Sequence, residues 1–338
     1  MRKNVLLIVG ILLMTVVLPV FAEKTSIEVV FNDPYHVEKD RSIQKLMLDD
    51  IKNAKSRIDV ATYNFTDTKV EEALEKAVKR GVTVNVVVDE DNFDKDVVRN
   101  LKKAGVNTVK AVSNGLMHAK YMIIDGEITI SGSANLTVSS YSYDNNNMVR
   151  IVSKDIADIF TAEFEEMFNS KIFGEDSPNT KAAKGVTLDD GTVVYVRFSP
   201  DDGIDDMIES LINAAEESVY MLAYSFASQD IAERLYQADK DGLDVIVICE
   251  DGKAYTDGGG QCGPLAEEGV SVYVDGYEDN LMHEKVIILD NSVVITGSYN
   301  FTRSADKRND EQVLVIQSPE IADLYLEEFD KILADAIQ

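Results

Sequence analysis

Ser56–Asp89 reads SRIDVATYNFTDTKVEEALEKAVKRGVTVNVVVD, and Glu217–Glu250 reads ESVYMLAYSFASQDIAERLYQADKDGLDVIVICE. These are one unit written twice: Phe65 and Phe226 hold the same place, as do Gly81 and Gly242. Self-similarity on this scale marks an internal repeat. Within each copy, runs such as IDVATY and VNVVVD are short, apolar and rich in β-branched residues, which suits buried strands. Between them, Val70–Val78 has helical spacing, and Gly81 and Gly242 stop that helix. Upstream, IEVVFNDP opens the first unit, VVYVRFSP opens the second, and Ile43–Ala54 is helical in pattern. Downstream, YMIID and ITISG follow one another across Gly126-Glu127 as a hairpin. Phe160–Phe168 and Ile321–Ile332 read as amphipathic closing helices. Strands alternating with helices predict an α/β fold of two pseudo-twofold-related lobes. Each lobe is then a mixed, mostly parallel sheet flanked by helices.

Gly174–Asp190 (GEDSPNTKAAKGVTLDD) has no periodicity, and its Pro, Gly, Ser and charge content marks a linker. The expected organisation is residues 23–173 as lobe 1, 174–189 as linker and 190–338 as lobe 2. Residues 1–22 read as an address. Arg2 and Lys3 precede the uncharged run Val5–Leu18, Pro19 breaks it, and Val20-Phe21-Ala22 resembles a cleavage site. An uncleaved N-terminal anchor is the alternative, though the run is short for a bilayer span of about 20 residues. Either way the chain is expected to be exported, to the periplasm or beyond. Export puts Cys249 and Cys262 where thiols oxidise. They enclose a loop containing Gly258-Gly259-Gly260, and a disulfide and two unpaired thiols are both open readings.

The 338 residues carry 33 Lys plus Arg against 60 Asp plus Glu, a formal charge of −27. Such a chain repels phosphate backbones, which argues against indiscriminate nucleic-acid binding while leaving room for a local basic pocket. Two cysteines exclude a disulfide scaffold and a four-cysteine zinc site.

The chemistry lies in a second repeated block. LMHAKYMIID (Leu116–Asp125) matches LMHEKVIILD (Leu281–Asp290). Two of the three histidines, His118 and His283, fall here at equivalent places. Each opens the pattern His-x-Lys, four residues, Asp, six residues, Gly-Ser-x-Asn. The first copy supplies His118, Lys120, Asp125, Gly132, Ser133 and Asn135; the second supplies His283, Lys285, Asp290, Gly297, Ser298 and Asn300. In a strand, residues i and i+2 share a face, so each His stands beside its Lys. An imidazole beside a fixed positive charge, with Ser and Asn groups nearby, suits an anionic, oxygen-rich group such as a phosphate. A pseudo-twofold would set two imidazoles on opposite sides of one phosphorus, as in-line displacement asks. A decayed enzyme would be expected to lose one His or Lys; neither copy has.

On these residues the chain resembles the phospholipase D superfamily, also called the HKD family, over nearly its whole mature length. The resemblance implies a two-lobed α/β fold with the active site at the lobe interface. It implies metal-independent phosphodiester cleavage through a phosphohistidine, with no cofactor. His118 is then the nucleophile, and His283 protonates the leaving group and later activates water. Lys120, Lys285, Asn135 and Asn300 hold the non-bridging oxygens, with Ser133 and Ser298 beside them. Asp125 and Asp290 support the structure. The resemblance also expects an acid about 28 positions after each His, bound to its other ring nitrogen. Glu311 fits for His283, while the first unit has Asn146, with Asp144 on the same strand face as a substitute. A carboxylate-backed His283 would be the more basic ring.

The expected substrate is a phosphodiester. A phospholipid is favoured, with transient contact to a membrane surface, and an exported endonuclease acting on nucleic acid is the alternative. A non-catalytic scaffold is disfavoured by the intact motifs. No obligate protein partner is inferred. His36 has no counterpart in the second unit and reads as a loop residue. Asp201, Asp202, Asp205 and Asp206 lack the spacing of a calcium loop. Tyr63 and Tyr224 read as packing residues at strand ends, with substrate contact as the alternative.

Overall fold

The computed structural model describes residues 24–35, 40–178, 184–254, 259–277 and 280–337. Residues 1–22, read above as an export signal, His36 and the middle of the linker lie outside the described residues. Among the described residues, no helix is long and apolar enough to cross a membrane.

The repeat folds into two sheets. The first has seven strands: β1 (Ser26–Asn32), β2 (Arg57–Thr62), β3 (Thr83–Asp89), β4 (Asn107–Ala111), β5 (Lys120–Ile124), β6 (Ile128–Gly132) and β7 (Asn146–Val152). Their order is β1-β7-β6-β5-β2-β3-β4. The second has eight: β8 (Val186–Thr187), β9 (Val193–Ser199), β10 (Ser218–Ala223), β11 (Asp244–Cys249), β12 (Ser271–Val274), β13 (Lys285–Leu289), β14 (Val293–Gly297) and β15 (Glu311–Gln317). Their order is β12-β11-β10-β13-β14-β15-β9-β8.

Both sheets are mixed and flanked by helices, as expected, but the expectation of mostly parallel pairing is corrected. Only β2–β3, β3–β4, β10–β11 and β11–β12 are parallel. Helices separate β1 to β4 and β9 to β12 in chain order, yet only the last three strands of each run pair in parallel. The strands after the histidines return through tight hairpins, which can only pair antiparallel, and β1 and β9 close against β7 and β15 antiparallel.

Burial follows the period of two. Ile58 and Val60 on β2, with Val84, Val86 and Val88 on β3, pack outward against the helices Ser42–Asn53, Thr68–Lys79 and Asp96–Lys103. Ala61 and Val87 point the other way. They share one core with Leu222, Val286 and Ile288 of the second sheet and with Phe160 and Phe329 of the closing helices. This continuous core holds the two sheets face to face. A third core lies under the helices Ile204–Ala214 and Gln229–Lys240. Matching side chains cap matching helices: Asp67 accepts from the Lys69 N–H, and Ser228 from the Ile231 N–H. Gly81 (φ 92°) and Gly242 (φ 94°) end those helices in the left-handed region, where a Cβ would be strained. Cys249 and Cys262, 13 residues apart, are joined by a disulfide. Closing a loop of that length contributes about 3 kcal/mol in the chain-entropy model.

Candidate active site

The carboxyl ends of β2 and β10 meet the two motifs. Thr62 pairs with Lys120, and Ala223 with Lys285, so Tyr63 and Tyr224 follow directly beside the histidines. β5 and β13 begin at the lysines, and each histidine lies in the segment just before its strand. That segment is pinned by the opposite half. The His118 N–H donates to Asp310 O (2.9 Å), and the His283 N–H donates to Asn145 O (3.0 Å). Each motif is therefore held in place by the strand that enters the other sheet.

The same crossing governs the imidazoles and overturns the expected pairing. Glu311 backs His118: Nδ1 lies 2.7 Å from Glu311 Oε2. Asn146 backs His283: Nδ1 lies 2.9 Å from Asn146 Oδ1. Asp144 serves neither ring. β7 and β15 run to the seam, and their first residues reach across it, so a partner read along one repeat belongs to the other. In both pairs an acceptor faces Nδ1, so that nitrogen carries the proton and Nε2 is left for chemistry.

Ser133 and Ser298 stand behind these partners. Ser133 Oγ donates to Asn146 Oδ1 (2.8 Å), and Ser298 Oγ donates to Glu311 Oε2 (2.6 Å). Both serines are fully buried. Their hydroxyls thus orient the groups that orient the histidines, rather than reaching a phosphate as expected. Asn309 Nδ2 completes the set with a 3.0 Å bond to Glu311 Oε1. Asp125 and Asp290 lie away from the rings. Each sits at a hairpin turn with positive φ (55° and 49°). Asp125 accepts the backbone N–H groups of Lys55, Ser56 and Arg57, and Asp290 those of Glu216, Glu217 and Ser218. Both clamp the start of the neighbouring strand.

His118 and His283 are each 8 % exposed, and Lys120 and Lys285 each 2 %. The lysines fold back on the carbonyls of His118 and His283, respectively, and each Nζ faces a tyrosine ring, 5.6 Å from Tyr63 and 4.5 Å from Tyr224. Burial pushes Lys120 down to about 7, against the pull of Glu311 and Asp89. Burial and the nearby Lys120 push Lys285 well below its ordinary value. Burial lowers His118, while the Glu311 carboxylate holds it up. His283 is lowered much further by burial, Lys285, Lys120 and His118, with no carboxylate to oppose them. Glu311 itself stays below the usual carboxylate range. Its burial is outweighed by His118, Lys120 and the Ser298 hydroxyl. Since Lys285 acts on His118, and Lys120 and His118 act on His283, all four groups face one cleft. Asn135 and Asn300 follow the hairpins of the two motifs, each with a buried Oδ1 that has no partner among the described residues. The arrangement is a nearly closed cleft in which two lysines and two available Nε2 atoms meet. A bound anion there would favour the charged forms that burial disfavours.

Sequence reasoning missed Gln312. Its Oε1 accepts the Lys120 N–H (2.9 Å), and its Nε2 donates to Lys120 O (3.2 Å) and Gly132 O (2.9 Å). It braces the first motif from the second half. Its repeat counterpart is Asn147, and that aligned amide pair beside Asn146 and Glu311 was the available signal. Asn147 does a different job, accepting from Thr296 and Tyr325.

Such a site belongs to a class of two-lobed α/β proteins that present paired His-x-Lys motifs to one anion. The family described as "Cardiolipin synthase, PLD-like domain" matches twice, at residues 47–168 and 208–333, more than half of the chain. The chain belongs to this phospholipase D-like family. It is 38 % identical over 130 residues to a phospholipase D of Rickettsia bellii, covering 38 % of this chain and 64 % of that protein. It is 36 % identical over 123 residues to a mitochondrial cardiolipin hydrolase of Mus musculus, covering 35 % of this chain and 53 % of that protein. The chain therefore spans less than two thirds of the length of these relatives. Among solved structures, the phosphatidylserine synthase of Haemophilus influenzae superposes with a TM-score of 0.67 at 15 % identity, covering 90 % of this chain and 86 % of that one. At that identity the likeness concerns the fold.

Proposed function

We propose that this chain is an exported phosphodiesterase of the phospholipase D type, acting on phospholipids without a metal through a phosphohistidine. The observation that carries this is the crossed backing of the two histidines, by Glu311 on one and Asn146 on the other. His118 Nε2 attacks phosphorus and forms the P–N bond while the P–O bond to the leaving alcohol breaks. His283 gives that oxygen its proton. The phosphorylated His118 ring, still protonated at Nδ1, is a cation, and Glu311 supplies the charge that stabilises it. His283, now neutral, takes a proton from water. The hydroxide attacks phosphorus, the P–N bond breaks, and a phosphomonoester leaves with both histidines restored.

Asn146 suits the second role because an amide fixes the tautomer without stabilising imidazolium, so His283 releases its proton readily. The bound phosphodiester anion favours the protonated form at the start of the cycle. Lys120, Lys285, Asn135 and Asn300 hold the non-bridging oxygens. Lipid is favoured over nucleic acid by the formal charge of −27 and by the relatives named for phospholipid and cardiolipin hydrolysis. We take residues 1–22 as the export signal, 23–173 and 190–338 as lobes joined by 174–189, and contact with a lipid surface as transient.

The test is turnover of phosphatidylcholine against single- and double-stranded DNA by the purified mature protein in EDTA. Lipid cleavage that persists in EDTA is the expected result. Cleavage of DNA alone replaces the lipid with the nucleic acid, and a strict requirement for a divalent metal overturns the mechanism.

A further inference from the structure

The repeat breaks its symmetry behind the motifs, where each closing helix faces the residue before the other half's last strand. Glu163 on the helix Lys154–Glu165 and Glu328 on the helix Pro319–Asp335 hold the same place in the two halves, and both are buried. Around Glu328 the charges are opposed. Lys331 Nζ lies 3.2 Å from its carboxylate and also acts against the charge of the buried Glu284. The neighbour from the first half is Asn145, a neutral amide. The first half reverses this chemistry: Glu166 stands where Lys331 does, and Asp310 where Asn145 does. The charges that act most strongly on Glu163 are Asp201, Glu166, Asp310 and Asp202, all of them acids.

Part of this acidic pocket is satisfied. Asp310 Oδ1 accepts the Gly174 N–H (2.6 Å), and Glu166 Oε1 accepts the Ser177 hydroxyl (2.6 Å). Asp310 is 2 % exposed, yet its Oδ2 is buried with no hydrogen-bond partner among the described residues. Burial, with like charges beside it, pushes Asp310 up to about 8. A second, separate sign comes from β5. Tyr121 is also 2 % exposed, and its hydroxyl is buried with no partner among the described residues. That hydroxyl lies in the fields of Glu163, Asp310 and Glu166. Unpaired oxygens buried among carboxylates are costly unless a positive charge joins them. A tighter trio, Asp205, Glu209 and Asp230, gathers its acid oxygens within 4.8 Å elsewhere. Its charges are spent, Glu209 on Arg234 (3.1 Å) and Asp205 on the hydroxyls of Ser228 and Tyr299.

We propose that Glu163, Glu166, Asp201 and Asp310, with the Tyr121 hydroxyl, form a structural site for a divalent cation, calcium by preference, at the seam behind the first motif. The ion does for the first half what the Lys331 ammonium does for the second. The acids are more widely spaced than the trio above, which suits calcium: it takes six to eight oxygen ligands in a flexible shell that water can complete. The donors come from separate segments of both halves, so no loop spacing marks them in the sequence. The ion takes no part in the reaction proposed above. It bears on it through one residue, since Asp310 O accepts the His118 N–H and the next residue, Glu311, backs the His118 ring.

The test is calorimetric titration of calcium chloride into the chelator-stripped protein, with Tm read alongside. The expected result is one ion per chain and a Tm raised by roughly 5 °C at saturation. Glu163→Gln should lose both. Glu166→Lys, which gives the first half the ammonium of the second, should raise Tm without calcium and make the protein indifferent to it. Asp205→Asn/Asp230→Asn, in the other acidic group, should bind as wild type does. No binding by wild type at millimolar calcium overturns the site. So does a calcium response that survives in both Glu163→Gln and Glu166→Lys, or one lost only in Asp205→Asn/Asp230→Asn. Neither readout uses turnover, so the result stands apart from the phosphodiesterase assignment.

Discussion

The two halves place the same five residue types around one cleft, yet His118 is backed by a carboxylate and His283 by an amide. The scaffolds are alike: the serines, the lysine folds, the tyrosines and the hairpin aspartates repeat. The difference is one charge at Nδ1. It teaches that a duplicated fold can give two equivalent rings different electrostatic surroundings by changing a single contact. In the proposed cycle the carboxylate stabilises the ring that becomes cationic, and the amide leaves the other ring free to release its proton.

The largest effect expected is on the histidines. His118→Asn abolishes turnover, by roughly 10⁴-fold or more, and yields no covalent adduct. His283→Asn is comparably slow on lipid. With a p-nitrophenyl phosphodiester, whose leaving group needs no acid, it accumulates a phosphoenzyme visible by intact mass spectrometry. An adduct in His118→Asn instead would reverse the two roles.

Glu311→Gln comes next. Making both rings amide-backed lowers kcat by about 10²–10⁴-fold, by analogy with removing the carboxylate of a catalytic triad. Asn146→Ala should cost less, since it removes a tautomer lock without a charge. Equal losses would mean the asymmetry carries no function.

The pH profile sharpens the contrast. Lys120 is pushed down to about 7 by burial, so its charge disappears as pH rises through that value and kcat/KM falls above it. His118 is held below its ordinary value, so its lone pair is lost only on the acid side. The profile is a bell, and a flat one from pH 5 to 8 would refute paired acid–base work. Asn146→Asp should raise the His283 pKa by on the order of one unit, shifting the limb that reports this ring to higher pH.

The smallest effect is on stability. Asp125→Asn weakens the clamp on Lys55, Ser56 and Arg57 by about 1 kcal/mol, read as a lower Tm. Asp290→Asn should match it, because the two clamps are equivalent. A loss of activity beyond the loss of folded protein would return these residues to the site.

Much of this was legible along the chain. Strand and helix positions follow from local periodicity, and the hairpin follows from Gly126 and the apolar runs that flank it. The motif residues declare themselves because duplication prints them twice. The pairing of the strands was less legible. Alternation of strand and helix describes β2 to β4 well but says nothing of how β1 closes on β7, a contact between distant segments. The serines were misplaced for a similar reason: spacing puts Ser133 near Asn135, and only packing turns its hydroxyl toward Asn146. The disulfide was undecidable from spacing alone, since covalent pairing depends on where two backbones meet.

The order of residues by itself determined two copies of an α/β unit, their elements and the ten side chains of the paired motifs, because each of those depends on near neighbours. Which group stands behind which imidazole was decided only when the two sheets closed on their common core. Contacts across that seam join positions nearly 200 residues apart, such as His118 and Glu311, and no local pattern encodes a distance that only burial of the shared apolar faces brings to zero.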